Sequence, residues 1–130
     1  MIDKEVIKIA SNTENHGVLD NHTHFSKLKN SICGDDMKIY LIVKDHEILS
    51  LKYECESCIY CQASVSLLST NIKNKPVKNF INFVQQANNS FKNDINSFDK
   101  EWKEFDKIMN KKNFSRKECL LLPLNTTLDA

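Results

Sequence analysis

Apolar residues at Ile2, Val6 and Ile9 are spaced for one face of a helix covering roughly the first ten residues. Ser11 to Ser31 is polar and rich in Asn and His, with turn signals at Gly17 and Asp20-Asn21, and reads as a long loop. From Met37 the period drops to two. Met37, Ile39, Leu41 and Val43 alternate with Lys38, Tyr40, Ile42 and Lys44, the pattern of a strand with one mostly apolar face. Asp45-His46-Glu47 can turn the chain into a second strand over Ile48 to Tyr53, whose inward row would be Leu49, Leu51 and Tyr53. The two strands make an antiparallel hairpin.

Beyond Cys58 the helical period returns through Ile59, Ala63 and Leu67, so a helix starts near Cys58 and is interrupted by Lys73 to Pro76. Val77, Phe80, Ile81, Val84 and Ala87 mark another amphipathic helix, followed by a polar connection over Asn88 to Ser97. Phe98, Trp102, Phe105 and Met109 repeat at four, three and four, a helical stripe of the kind that usually packs into a core. Asn110 to Ser115 breaks it. A last short helix begins at Cys119, with Pro123 placed in its first turn, where early N–H groups have no intrahelical partner. The predicted class is α+β, a small antiparallel sheet packed against helices, with no internal repeat.

A chain of 130 residues matches one domain, expected here to span 1–130. Eighteen basic against seventeen acidic side chains give a net charge of +1, which removes the broad positive footprint of a nucleic-acid binder. No apolar run is long enough to span a membrane. Asp3, Lys4, Glu5 and Lys8 interrupt the stretch where a signal peptide would need its apolar segment, so a cytoplasmic location is expected. In that reducing compartment an odd number of thiols, five, argues for metal binding or thiol chemistry rather than a disulfide framework.

The cysteines lie at Cys33, at Cys55, Cys58 and Cys61 as C-x-x-C-x-x-C, and at Cys119. A hairpin returns its ends to one edge, so Cys33 at its entry and Cys58 at its exit can be neighbours. A terminal helix packed along the sheet can add Cys119. Gly34 lets the backbone bend so that Asp35 faces the same centre as Cys33. Three sulfurs and one oxygen suit a tetrahedral Zn²⁺ site or an iron–sulfur cluster edge, since both metals bind thiolate strongly.

At these residues the sequence resembles the iron–sulfur cluster assembly scaffolds of the NifU/IscU family, most closely the SufU-like branch. Asn15-His16-Gly17-Val18-Leu19-Asp20 is similar to the family's loop after its first helix. Asn30-Ser31-Ile32-Cys33-Gly34-Asp35, Ser57-Cys58-Ile59-Tyr60-Cys61-Gln62-Ala63-Ser64 and Arg116-Lys117-Glu118-Cys119 with Leu121-Leu122-Pro123 are similar to its three ligand motifs, in the family's order. The Leu-Pro-Pro-Val-Lys chaperone-recognition segment of IscU is absent, its neighbourhood reading Lys111-Lys112-Asn113-Phe114-Ser115-Arg116. The long stretch between Cys58 and Cys119 resembles the extra segment of SufU-like proteins. The resemblance implies Cys33, Asp35, Cys58 and Cys119 as ligands of zinc or of an iron–sulfur cluster of the 2Fe–2S type, with Arg116 in the basic position of an Arg-x-x-Cys motif.

The resemblance also implies a scaffold that receives iron and sulfur, holds a labile cluster and passes it on. Its partners would be a cysteine desulfurase and downstream assembly or acceptor proteins, with neither nucleic acid nor membrane involved, and either a monomer or a homodimer is compatible. The alternative is a zinc-dependent sulfurtransferase in which Cys119 leaves the metal to accept persulfide sulfur from the desulfurase. Cys55 and Cys61 depart from the family pattern. C-x-x-C-x-x-C resembles the opening of a ferredoxin-type run, but the fourth cysteine followed by Pro is missing. Cys61, three positions from Cys58 on one helical face, could act as a substitute ligand or sulfur acceptor. Cys55 reads as a packed or partly exposed thiol. His46 in the hairpin turn and His22-x-His24 in the loop read as solvated, and His16 as shaping the loop that matches the family.

Overall fold

The computed structural model describes residues 4–29, 34–93, 100–109, 113 and 116–130. Among the described residues four strands, β1 (His24–Lys29), β2 (Asp36–Lys44), β3 (Glu47–Glu56) and β4 (Lys75–Pro76), form one antiparallel sheet in chain order. The α-helices described are α1 (Lys4–Ala10), α2 (Ile59–Asn71), α3 (Val77–Asn93) and α4 (Lys117–Asp129), with a 3₁₀ helix over Lys100–Lys107. The α+β class is as expected. Among the described residues no helix is long and apolar enough to cross a membrane.

The β2–β3 hairpin sets the position of the site. Asp45 and His46 link the strands with φ of 53° and 64°, the left-handed pair of a two-residue hairpin turn, and Asp and His tolerate that region better than most side chains. The register runs from Lys44 opposite Glu47 to Asp36 opposite Glu56, so the residues just outside each strand emerge at the same end. Leu49 corrects the expected inward row. The register shifts between Ile42 and Val43, leaving Leu49 as the extra residue of a bulge; it is 39% exposed while Ile48, Leu51 and Tyr53 are buried. One added residue changes which face a side chain takes.

Strand β1 lies inside the stretch expected to be loop. It pairs with β2 from His24 opposite Leu41 to Lys29 opposite Asp36. Its polarity is inverted relative to an ordinary half-buried strand: Ser26 is buried, whereas Phe25 is 45% exposed and packs on the Tyr40 ring at 5.2 Å. Ser26 Oγ donates to Asp129 Oδ2 at 2.7 Å, tying the edge strand to the end of α4.

Helix α2 is the central support, buried from Tyr60 to Ser69 except at Gln62. Its serines let neighbouring backbone come close while keeping each hydroxyl bonded, as buried polar groups require. Ser64 Oγ donates to the Leu120 carbonyl of α4 at 2.6 Å, and Ser66 Oγ to the Asn12 carbonyl after α1 at 2.8 Å. Asn15 Nδ2 donates to Ser69 Oγ at 3.1 Å.

Helix α3 continues through Asn93, so the expected polar connection is helical over its first six residues. The Trp102–Met109 stripe is buried as expected but begins as a 3₁₀ helix rather than an α-helix, with Trp102 at φ −120° and ψ 16°. The packing explains the departure, since the Trp102 ring lies flat on Phe83 with centroids 4.2 Å apart and planes at 7°. Phe98 lies outside the described residues, as does the 110–115 break apart from Asn113. Helix α4 starts at Lys117, not Cys119, which moves Pro123 out of the first turn and into the helix interior. There Pro123 has no N–H to offer the carbonyl four residues back.

Candidate metal centre

Three elements deliver one ligand each to the open end of the hairpin. Asp35 immediately precedes β2, Cys58 is the N-cap of α2, and Cys119 lies in the first turn of α4. Gly34 has φ of 73°, and among the described residues nothing lies within 4 Å of where its Cβ would be. Glycine is therefore needed there for backbone conformation, not for space. The turn brings Asp35 across to α2, where its Oδ1 accepts the Cys58 backbone N–H at 3.1 Å.

The ligand atoms of Asp35, Cys58 and Cys119 all lie within 4.8 Å of one another, and among the described residues they are the one group of three able to hold a metal. Asp35 and Cys119 are each 4% exposed and Cys58 is half-buried, so the centre has one accessible side. The Cys58 side chain makes no capping hydrogen bond, and the positive end of α2 faces this group, where it favours negative charge. Cys33, the expected fourth ligand, lies outside the described residues.

The donor set fits a metal. Two thiolates and one carboxylate suit Zn²⁺ or iron, and in a tetrahedron with Zn–S bonds of about 2.3 Å the sulfurs sit roughly 3.8 Å apart, compatible with the observed grouping. The three described residues fill three corners of such a tetrahedron, and Cys33 is the residue expected at the fourth.

Arg116, next to the start of α4, stacks its guanidinium over the Tyr60 ring with Cζ 5.3 Å from the centroid. This cation–π contact ties the first turn of α4 to that of α2, the two helix ends that carry Cys119 and Cys58. Tyr60 was visible in the sequence only as part of a motif; nothing in its spacing marks it as the support for Arg116.

The two additional cysteines are separate from the three-ligand group. Cys61 is fully buried in the core, and burial, reinforced by the charges of Asp35, Cys55 and Cys58, pushes its pKa far above the ordinary thiol value. Cys55 is half-buried at the end of β3, and burial raises its pKa too. Between them, Ser57 Oγ is buried. It lies close enough to both sulfurs to oppose these shifts, yet no hydrogen bond of good geometry closes to either. The role of Cys61 as a substitute ligand thus has no support in the three-atom grouping. His16 packs edge-on against Tyr53 at 5.4 Å, and its loop bridges to β3 at that residue. Leu19 and Thr23 engage His22 and His24 at the surface, and His46 sits exposed in the hairpin turn, so none of the four histidines joins the ligand group.

An antiparallel sheet and helices arranged around a carboxylate and two thiols define an α+β protein with a candidate metal centre at the hairpin's open end. The family model for the NifU-like N terminal domain matches residues 1–95, and the chain belongs to that family. A Thermotoga maritima protein, iron-sulfur cluster assembly scaffold protein IscU, is 27% identical over 132 residues, covering 100% of this chain and 92% of that protein. The Archaeoglobus fulgidus iron-sulfur cluster assembly scaffold protein IscU 1 is 26% identical over 87 residues, 67% of this chain and 57% of that protein. Among solved structures, the N-terminal NifU-like protein from Brucella abortus superposes with a TM-score of 0.91 at 18% identity, covering 98% of this chain and 89% of that one. A candidate scaffold protein for the SUF system from Fervidobacterium islandicum AW-1 superposes with a TM-score of 0.87 at 23% identity, covering 99% and 95%. The fold of these structures is the fold of this chain.

Proposed function

We propose that the chain is an iron–sulfur cluster assembly scaffold that works as a single domain over residues 1–130 in the cytoplasm. Cys33, Asp35, Cys58 and Cys119 would bind iron and sulfide as a labile cluster of the 2Fe–2S type and release it to acceptor proteins. What carries the reading is the convergence of Asp35, Cys58 and Cys119 ligand atoms within 4.8 Å at the end of a NifU-like fold. The mixed donor set supports release. A hard carboxylate holds iron less firmly than a thiolate, and the half-buried Cys58 side leaves an approach for an incoming acceptor. A cysteine desulfurase would supply the sulfur.

A second reading, zinc-dependent sulfur transfer in the manner of the SufU-like branch, is favoured by one specific observation. Arg116 is held over Tyr60 beside the helix turn that bears Cys119, where a cation favours negative charge on a thiol accepting sulfur. Zn²⁺ would be held by the same residues and would keep the remaining ligands assembled. Anaerobic purification followed by iron, zinc, acid-labile sulfide and visible-absorption analysis tests the proposal. Iron with matching sulfide, transferable to an apo-acceptor, is the expected result. Stoichiometric zinc without sulfide, together with persulfide on the chain after exposure to a desulfurase and cysteine, would replace it with the second reading.

A further inference from the structure

The head of α2 carries a second cysteine that the metal centre does not use. Cys58 is the N-cap and Cys61 the third helical residue, and the Gln62 N–H donates to the Cys58 carbonyl at 3.0 Å, closing the turn. Residues three apart in such a turn share a face with Cα atoms about 5 Å apart. That separation lies within the roughly 4.4 to 6.8 Å that a disulfide spans. The two thiols differ in access, Cys58 half-buried and Cys61 sealed in the core against it. Beside Cys61 lies the buried Ser57 hydroxyl, which lacks a hydrogen-bond partner and can donate to a sulfur on which negative charge develops.

We propose that Cys58 and Cys61 form a dithiol–disulfide couple, closed by a small-molecule disulfide such as oxidised glutathione when no metal holds Cys58. The Cys58 thiol gives up its proton and attacks one sulfur of the reagent, forming a mixed disulfide and releasing one glutathione, which takes up a proton. Cys61 then gives up its proton and attacks the Cys58 sulfur, and the second glutathione leaves in the same way. Two protein thiols become one disulfide while one glutathione disulfide becomes two thiols, so no further oxidant is required.

Among the described residues Cys119 is the competitor, since its sulfur lies within 4.8 Å of the Cys58 sulfur. It belongs to α4, however, and reaches Cys58 only while two separate helices stay docked. Cys61 rides on the same turn, so its approach survives any movement of α4. Closure withdraws Cys58 from the ligand set, and a loaded centre and a closed disulfide exclude one another.

The test uses the full chain, reduced, stripped of metal with a chelator and equilibrated in glutathione buffers of increasing oxidised fraction. After acid quench and alkylation, cleavage following Tyr60 separates Cys58 from Cys61 for mass mapping. The expected product has lost two hydrogens and carries a Cys58–Cys61 bond, with Cys33, Cys55 and Cys119 alkylated. Cys61→Ala should retain one glutathione on Cys58, and Cys119→Ala should still close. A stable glutathione adduct on the unmutated chain, or Cys58 bonded to Cys33, Cys119 or Cys55 with Cys61 alkylated, would overturn the proposal whatever the stability of the variants.

Discussion

Asp35 performs two tasks that a pair of substitutions can separate. Its carboxylate is one of three grouped ligands, and its Oδ1 accepts the Cys58 N–H at 3.1 Å from an almost fully buried position. Asp35→Ala removes both, leaving that N–H without this acceptor, which costs about 1–3 kcal/mol for a buried donor. Asp35→Asn keeps an oxygen for the N–H and removes only the charge. In the metal-free protein the Asn variant should unfold in urea within about 1 kcal/mol of the parent, because losing a hydrogen bond's ionic character is offset by no longer burying a carboxylate. The Ala variant should be lower by about 1–3 kcal/mol. Both should bind Zn²⁺ more weakly in a chelator competition and, as the family resemblance implies, should release a reconstituted cluster more slowly. An Ala variant as stable as the parent would refute the role of the N–H bond. Unchanged Zn²⁺ affinity in both variants would remove Asp35 from the ligand set.

Other consequences follow from single residues. Burial raises the Cys61 pKa above its ordinary 9.0, so the folded state favours the neutral thiol; this contribution is fully present below pH 9 and is lost as pH rises towards the folded value. Between pH 9 and 10 the metal-free parent should therefore lose about 1 kcal/mol more stability than Cys61→Ala, and equal slopes would contradict a buried neutral Cys61. Gly34→Ala places a side chain at φ 73° with open space around it, and should destabilise by about 1–2 kcal/mol in thermal melts, from backbone strain alone; an unchanged melting temperature would show that the loop relaxes. After incubation with a cysteine desulfurase and cysteine, mass mapping should find the extra sulfur on Cys119, and label confined to Cys61 would reject that assignment. Trp102→Ala should cost about 3–5 kcal/mol, because the ring is buried and stacked on Phe83; a loss below 1 kcal/mol in urea unfolding would contradict its place in the core.

The parts of the fold legible in the sequence are those whose residues keep one period. Met37 to Leu41 alternates and is a strand, and Val77 to Ala87 keeps the helical spacing and lies in α3, with Phe80, Val84 and Ala87 buried. The misreadings arose where tertiary contacts override local pattern. Strand β1 hides because its buried position is Ser26, satisfied by Asp129 from the far end of the chain, while Phe25 faces outward onto Tyr40. Alternation alone predicts Leu49 inward because it cannot reveal a bulge. Trp102 keeps helical spacing, yet its stack on Phe83 takes it out of helical dihedrals. For the candidate site, Asp35, Cys58 and Cys119 were readable because hairpin closure and motif order both pointed to one end of the sheet. The Arg116–Tyr60 contact and the buried Ser57 hydroxyl were not, since each depends on how α2 and α4 dock.

The most direct test of the account is metal content per chain after Zn²⁺ reconstitution and desalting, compared across single cysteine variants. The unmutated chain and Cys55→Ser should each retain about one equivalent, as expected for a structural or cargo site with thiolate ligands, while Cys58→Ser and Cys119→Ser should lose most of it. Full loading in Cys58→Ser and Cys119→Ser, with loss in Cys55→Ser, would contradict a centre built from Asp35, Cys58 and Cys119.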